Sequence, residues 1–149
     1  MRRTAVVPAR INIIGEHTDH FGGMALSFSS QHRLVLSASR ALRVGNEDPT
    51  VMRLWEAARG WEAELTVHSD IPIGAGMSSS AALCVAVAMC SGNFDGEMDV
   101  SLEAQRIEHE VLDSHCGLLD QIAITHSTKG YATLIDFDCM SVSDFRVPS

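Results

Sequence analysis

Residues 71–85, Ile-Pro-Ile-Gly-Ala-Gly-Met-Ser-Ser-Ser-Ala-Ala-Leu-Cys-Val, hold the residue types that binding an anion requires. Pro72, Gly74 and Gly76 make a loop that cannot be helical throughout. Ser78, Ser79 and Ser80 follow with three hydroxyls, and Ala81 to Met89 is an apolar, helix-compatible run. A Gly-rich loop opening into a helix presents unpaired backbone N–H groups at the positive end of the helix dipole. Phosphate suits such a site. The glycines let the backbone approach the ligand, and the serines add donors and a candidate Mg2+ ligand. The pattern is neither the G-x-x-x-x-G-K-[ST] loop nor the G-x-S-x-G elbow. The same residues also suit an ordinary cap on a small-residue core helix.

Three further groups can do chemistry. Glu16-His17-Thr18-Asp19-His20 directly follows the apolar run Ile11 to Ile14. Its acids can accept hydrogen bonds from the hydroxyls of a polyol or sugar, and His17 can add a donor. A solvated loop is the plainer reading, and a His17/His20 metal pair lacks a third ligand. Glu108 stands beside Ile107, at the edge of a helix face expected to be buried. Asp120 is flanked by Leu118, Leu119, Ile122 and Ala123, which implies partial burial. A partly buried carboxylate near a phosphate site is a candidate for catalysis.

These groups need elements to position them. Thr4 to Val7 reads as a strand broken by Pro8-Ala9-Arg10 and resumed at Ile11. Phe21-Gly22-Gly23 reads as a turn. Met24–Ser30 and Leu34–Ser39 read as two strands joined by a polar link, Gln31-His32-Arg33. Thr50 is the expected cap of a short helix over Val51–Ala58, and Trp61–His68 the strand that leads into the Gly-rich loop. The helix after that loop is apolar almost all round and should be buried. Ser101 is the expected cap of a helix over Leu102–Leu112, with Glu103, Arg106 and Glu110 outside. Another helix starts near Cys116 to Gln121, and Tyr131–Phe137 reads as a final strand before an aperiodic tail.

The 149 residues fit one domain with a core. A net charge of −8 argues against nucleic acid as a partner. Cys84, Cys90, Cys116 and Cys139 form no C-x-x-C pair and read as free thiols in a reducing compartment. No signal peptide or membrane-spanning run is apparent, so a cytoplasmic protein without a membrane partner is expected.

Taken together, three segments resemble galactokinase, within the GHMP small-molecule kinase superfamily. They are Pro8 to Asp19, Pro72 to Leu83, and Glu108-His109 through Cys116 to Gln121 with Gly130 to Asp136 beyond. The first is similar to the galactokinase signature, the second to the superfamily's ATP-phosphate loop. The resemblance implies an α+β fold, strands backed by helices, of the GHMP kinase N-terminal domain over 1–149, with the family's C-terminal domain absent. It implies transfer of the γ-phosphoryl of Mg-ATP to the anomeric hydroxyl of galactose. Asp120 would accept the proton of the sugar 1-hydroxyl, and Arg10 would lie beside it and stabilise charge on the transferring group. Glu16, His17, Thr18 and Asp19 would bind the sugar, with the Gly117 backbone. Gly74, Ala75, Gly76, Met77, Ser78, Ser79 and Ser80 would wrap the ATP phosphates, and Ser80 and Glu108 would hold Mg2+.

The sequence departs from the resemblance at definite places. The Glu16–Ser78 interval is shorter than is usual for galactokinases, near Gly45 to Val51, where the family has adenine-side contacts. His20 stands where Tyr is common, and Ser27-Phe28-Ser29-Ser30 replaces a more apolar run. Alternative readings are a GHMP kinase for N-acetylgalactosamine or a related substrate, a non-catalytic galactose/ATP sensor, or an inactive truncated product.

Overall fold

The computed structural model describes residues 2–14, 23–42, 45–46, 48–71, 79–92, 94–113, 118–126 and 131–146. Among these residues five strands and four helices are ordered β1 (Arg2–Ile14), β2 (Met24–Arg40), α1 (Pro49–Ala57), β3 (Ala63–Ser69), α2 (Ser79–Ser91), α3 (Glu97–Leu112), α4 (Leu119–Thr125), β4 (Tyr131–Asp136) and β5 (Ser141–Arg146). The strands form one antiparallel sheet in the order β1-β2-β4-β5, with β3 also on β2. The helices cover one face. Ala5, Val7 and Ala9 of β1 and Leu34, Leu36 and Ala38 of β2 pack against Leu54, Trp55, Val85 and Ile107. A second cluster joins Ala25 and Ile135 of the sheet to Leu119, Ile122 and Ala123 of α4. This is the expected α+β arrangement. No helix among the described residues is long and apolar enough to cross a membrane.

β2 organises the sheet. Along one edge it pairs with β1. Along the other, Met24–Phe28 pair with β4 and Leu34–Arg40 with β3. The two strands read from the sequence are therefore one strand, and Gln31-His32-Arg33 lies within it. The break in the pattern is a change of phase. Buried positions are odd at Ala25 and Ser27 but even at Ser30, Leu34, Leu36 and Ala38. The partner strand slips at the same place. Pro8 faces Arg33 and Arg10 faces Ser29, so two steps on β1 match four on β2. Irregularities of this kind re-aim side chains. Here Ala9 and Arg10, consecutive in sequence, are both buried. Pro8 does not end the strand as expected; it sits where the ladder is already irregular, so its missing N–H costs little.

The helix termini also differ from expectation. Asp48, not Thr50, caps α1: its carboxylate accepts from the Thr50 N–H at 2.8 Å, and Pro49 takes the first helical position. Ser101 lies inside α3, which starts at Glu97; its hydroxyl donates to the Glu97 carbonyl at 2.9 Å. Arg106 bridges Glu103 and Glu110 on the outer face of α3, as the pattern implied. The tail read as aperiodic contains β5, an edge strand that is mostly exposed.

α2 is buried as its composition requires. Ala81, Ala82, Ala86 and Ala88 are fully enclosed, and such small side chains let α2 lie close to the sheet and to α3. At its far end the Arg3 guanidinium donates to the Gly92 carbonyl at 2.9 Å and the Trp61 indole to the Cys90 carbonyl at 3.1 Å. Cys90 and Cys139 are free thiols.

Candidate functional site

Two polar pairs stand where β1, α2, α3 and α4 converge. In the first, Arg10 Nε donates to Asp120 Oδ1 at 2.6 Å. Arg10 reaches this position because the slip in β1 turns it to the helix-bearing face. Asp120 reaches it from the first turn of α4, which packs on β1, β2 and β4. The two side chains are 11% and 28% exposed, so the pair is sheltered while the carboxylate keeps an open side. The expected partial burial of Asp120 and its place beside Arg10 are both met.

In the second pair, Ser80 in the first turn of α2 donates its hydroxyl to Glu108 Oε2 at 3.1 Å. Glu108, on α3, is buried while Ser80 is exposed, so the pair opens outward on the serine side. The sequence placed Glu108 at the edge of the buried face; it belongs to the interior. Gln121, fully buried on α4, donates its amide to the other oxygen, Oε1, at 2.9 Å. Burial pushes the Glu108 carboxyl above the ordinary glutamate range. The hydrogen bonds from Ser80 and Gln121 oppose that rise, and the negative charge of Asp120 adds to it. Gln121 follows Asp120 directly on α4, so one hydrogen bond links the Glu108 carboxylate to the turn that carries Asp120.

Gln121 is the site residue that sequence reasoning passed over. Its signal was adjacency: it follows Asp120 directly on a short helix, and neighbours there point about 100° apart. One turns to Arg10 and the other to Glu108.

The chemistry open to this arrangement is that of a hydroxyl and an anion. A sheltered carboxylate paired with a guanidinium can orient or deprotonate an alcohol. A Ser/Glu oxygen pair suits a hard divalent cation that takes few protein ligands and completes its shell with phosphate and water. Among the described residues no group of three or more His, Cys, Asp or Glu side chains is clustered for a metal. The first turn of α2 contains no acidic side chain to compete for its N–H groups. Beside that helix a hollow is lined by Asn46, Val51, Leu65, Val67 and Leu83. Glu16, His17, Thr18, Asp19, Gly117 and Gly74 to Ser78 lie outside the described residues, as do Phe21-Gly22, Cys116 and Gly130.

Residues 37–128, more than half of the chain, match the family described as GHMP kinases N terminal domain. The chain belongs to the GHMP kinases. Residues 2–40 also match the galactokinase galactose-binding signature. Among individual GHMP kinases, the galactokinase of Chloroflexus aggregans is 31% identical over 99% of this chain and 46% of its own length. That of Thermotoga maritima is 33% identical over 87% and 45%. The chain thus spans about half the length of the curated relatives it matches. The alignment with the Chloroflexus protein runs over 182 residues against 149 here, so the relative contains segments that this chain lacks.

Solved structures show the same fold. Lactococcus lactis galactokinase complexed with galactose superposes with a TM-score of 0.84 at 22% identity, over 99% of this chain and 47% of that one. Mevalonate kinase from Staphylococcus aureus superposes at 0.69 with 18% identity, over 99% and 56%. The described architecture is that of a GHMP kinase N-terminal domain.

Proposed function

We propose that this chain is the N-terminal domain of a galactokinase-type sugar 1-kinase, which transfers the γ-phosphoryl of Mg-ATP to the anomeric hydroxyl of galactose. One observation carries the reading: the Arg10–Asp120 pair and the Ser80–Glu108 pair are joined through consecutive residues of α4, Asp120 bonding Arg10 and Gln121 bonding Glu108. A base for the acceptor and a cation site for the donor are what phosphoryl transfer needs, because its catalysis is mainly positioning and charge stabilisation.

In this reading Asp120 holds the sugar 1-hydroxyl and takes its proton, and Arg10 fixes the carboxylate and offers positive charge to the phosphoryl in flight. Glu16, His17, Thr18, Asp19 and the Gly117 backbone bind the sugar. Gly74 to Ser80 surround the phosphates at the α2 N-terminus, and the hollow at Leu83, one helical turn further, takes the nucleoside side. Ser80 and Glu108 hold Mg2+. Their donor set fits: two hard oxygens, one with a buried charge that a cation would offset. Bound there, Mg2+ would neutralise phosphate charge as the bond to the γ-phosphoryl loosens.

Calorimetric titration tests the reading. Galactose and Mg-ATP, added separately and together, should each bind to the 149-residue protein. Asp19→Ala should weaken galactose and spare nucleotide. Loss of nucleotide alone in that variant would move the sugar site elsewhere. Binding of neither ligand to the unsubstituted chain would overturn the assignment of a preformed site to this domain.

A further inference from the structure

Glu108 is gripped from both sides. Oε2 takes the Ser80 hydroxyl at 3.1 Å from α2, and Oε1 takes the Gln121 amide at 2.9 Å from α4. The two donors differ in kind. Ser80 is exposed and is itself an oxygen ligand in the reading above; Gln121 is fully buried. A Ser hydroxyl that turns a lone pair to a cation must turn its proton away from Glu108. One of the two restraints on the carboxylate would then be gone.

We propose that Gln121 is a positioning residue: its amide holds the Glu108 carboxylate with Oε2 turned toward Ser80 for a divalent cation, and ties that carboxylate to the helical turn carrying Asp120. The proposal rests on the assignment of Ser80 and Glu108 as the cation ligands. An amide suits the task better than a charged donor. Lys or Arg at position 121 would hold Glu108 equally well but would neutralise it and repel the cation. A neutral N–H fixes the rotamer and leaves the negative charge for the metal. Partners of this kind, one bond removed from the metal, commonly account for ten- to hundredfold in affinity. The connection to Asp120 is covalent. A movement of α4 that shifts the base drags the Gln121 amide with it, so cation ligand and base keep their relative places.

Mn2+ serves as the probe, with the 149-residue protein labelled for NMR. In the unsubstituted chain Mn2+ should broaden amide signals centred on Ser80 and Glu108. Gln121→Met keeps length and suits a buried site but cannot donate. It should need about tenfold more Mn2+ for the same broadening, with amide shifts remote from α3 and α4 unchanged. Equal broadening in both proteins would overturn the role of Gln121 and leave the ligand assignment standing. No localised broadening in the unsubstituted chain would overturn the ligand assignment, and this proposal with it. A second measurement needs no variant: on Mg2+ titration the Gln121 side-chain N–H signals should shift with the same midpoint as Ser80. Signals that stay fixed while Ser80 responds would also sink the proposal.

Discussion

Asp70 and Arg33 hold each other by reciprocal hydrogen bonds. The Asp70 carboxylate accepts from the Arg33 backbone N–H at 2.6 Å, and the Asp70 N–H donates to the Arg33 carbonyl at 3.1 Å. Arg33 lies at the end of the stretch of β2 between the residues that pair with β4 and those that pair with β3. Asp70 thereby closes that stretch and anchors the chain two residues before Pro72, where the Gly-rich segment starts. Asp70→Ala should weaken Mg-ATP binding several-fold while galactose binding holds, as calorimetry would show. Equal loss of both would mean that the clamp supports the fold at large and not the proposed phosphate segment.

The Arg10–Asp120 pair should show measurable coupling. Asp120→Ala strands a buried guanidinium, whereas Arg10→Met with Asp120→Ala removes both charges. A double-mutant cycle in urea should give a coupling of about 1–3 kcal/mol, below that of a fully buried pair because Asp120 is partly open to water. In phosphoryl transfer, Asp120→Ala should cost at least about a hundredfold. Unchanged turnover would remove Asp120 as the base.

Glu108 predicts a pH dependence of stability. Its carboxyl is raised by burial, so the folded chain binds that proton more tightly than the unfolded one. Its contribution is therefore fully present at acid pH and is lost as pH rises from the ordinary glutamate range through the raised value. Glu108→Gln has no such proton. Thermal denaturation should show the unsubstituted protein losing stability relative to the variant across that window, with the difference between them constant above it. Parallel curves from pH 4 to 8 would refute the shift.

Gly60 offers a test of packing far from the site. A Cβ there would clash with the Trp55 indole, and Trp55 is locked by its own N–H to the Trp61 carbonyl at 2.7 Å. Gly60→Ala should destabilise by about 1–3 kcal/mol, as overpacked cores do. Gly45→Ala, with nothing within 4 Å of the added carbon, should be near neutral by the same urea midpoint measurement.

What could be read in the sequence followed how local each signal was. The burial of α2 was legible because thirteen residues from Ser79 to Ser91 contain no charge. The pairing of Arg10 with Asp120 was expected only through a family resemblance, since no local pattern joins residues 110 positions apart. The unity of β2 was hidden because its alternation changes phase mid-strand, and a phase change reads as a break. β5 was missed because an exposed edge strand, Ser-Val-Ser-Asp-Phe-Arg, has no buried face to impose a period of two. Thr50 and Ser101 are residue types that cap helices, but Pro49 moved one start forward and the Asp95-Gly96 turn the other. Gln121 has only its place after Asp120 to mark it; an amide acquires its meaning from the carboxylate the fold sets opposite it.

β2 has a consequence for precision. From one end it supports β4, which lies under the helix holding Asp120; from the other it supports β3, which delivers the chain toward Ser80. Phe28 and Leu34 face Ile11 and Val7 of β1, so the interval measured along β1 is roughly 13 Å at ~3.3 Å per residue. Both halves of the proposed site are thus measured from a single datum, as two fixtures bolted to one rail. The span between the proposed acceptor and donor ends is carried within one strand, with β1 alongside it and the Asp70 clamp closing the stretch that neither β3 nor β4 pairs, and alignment does not accumulate error from one fixture to the next.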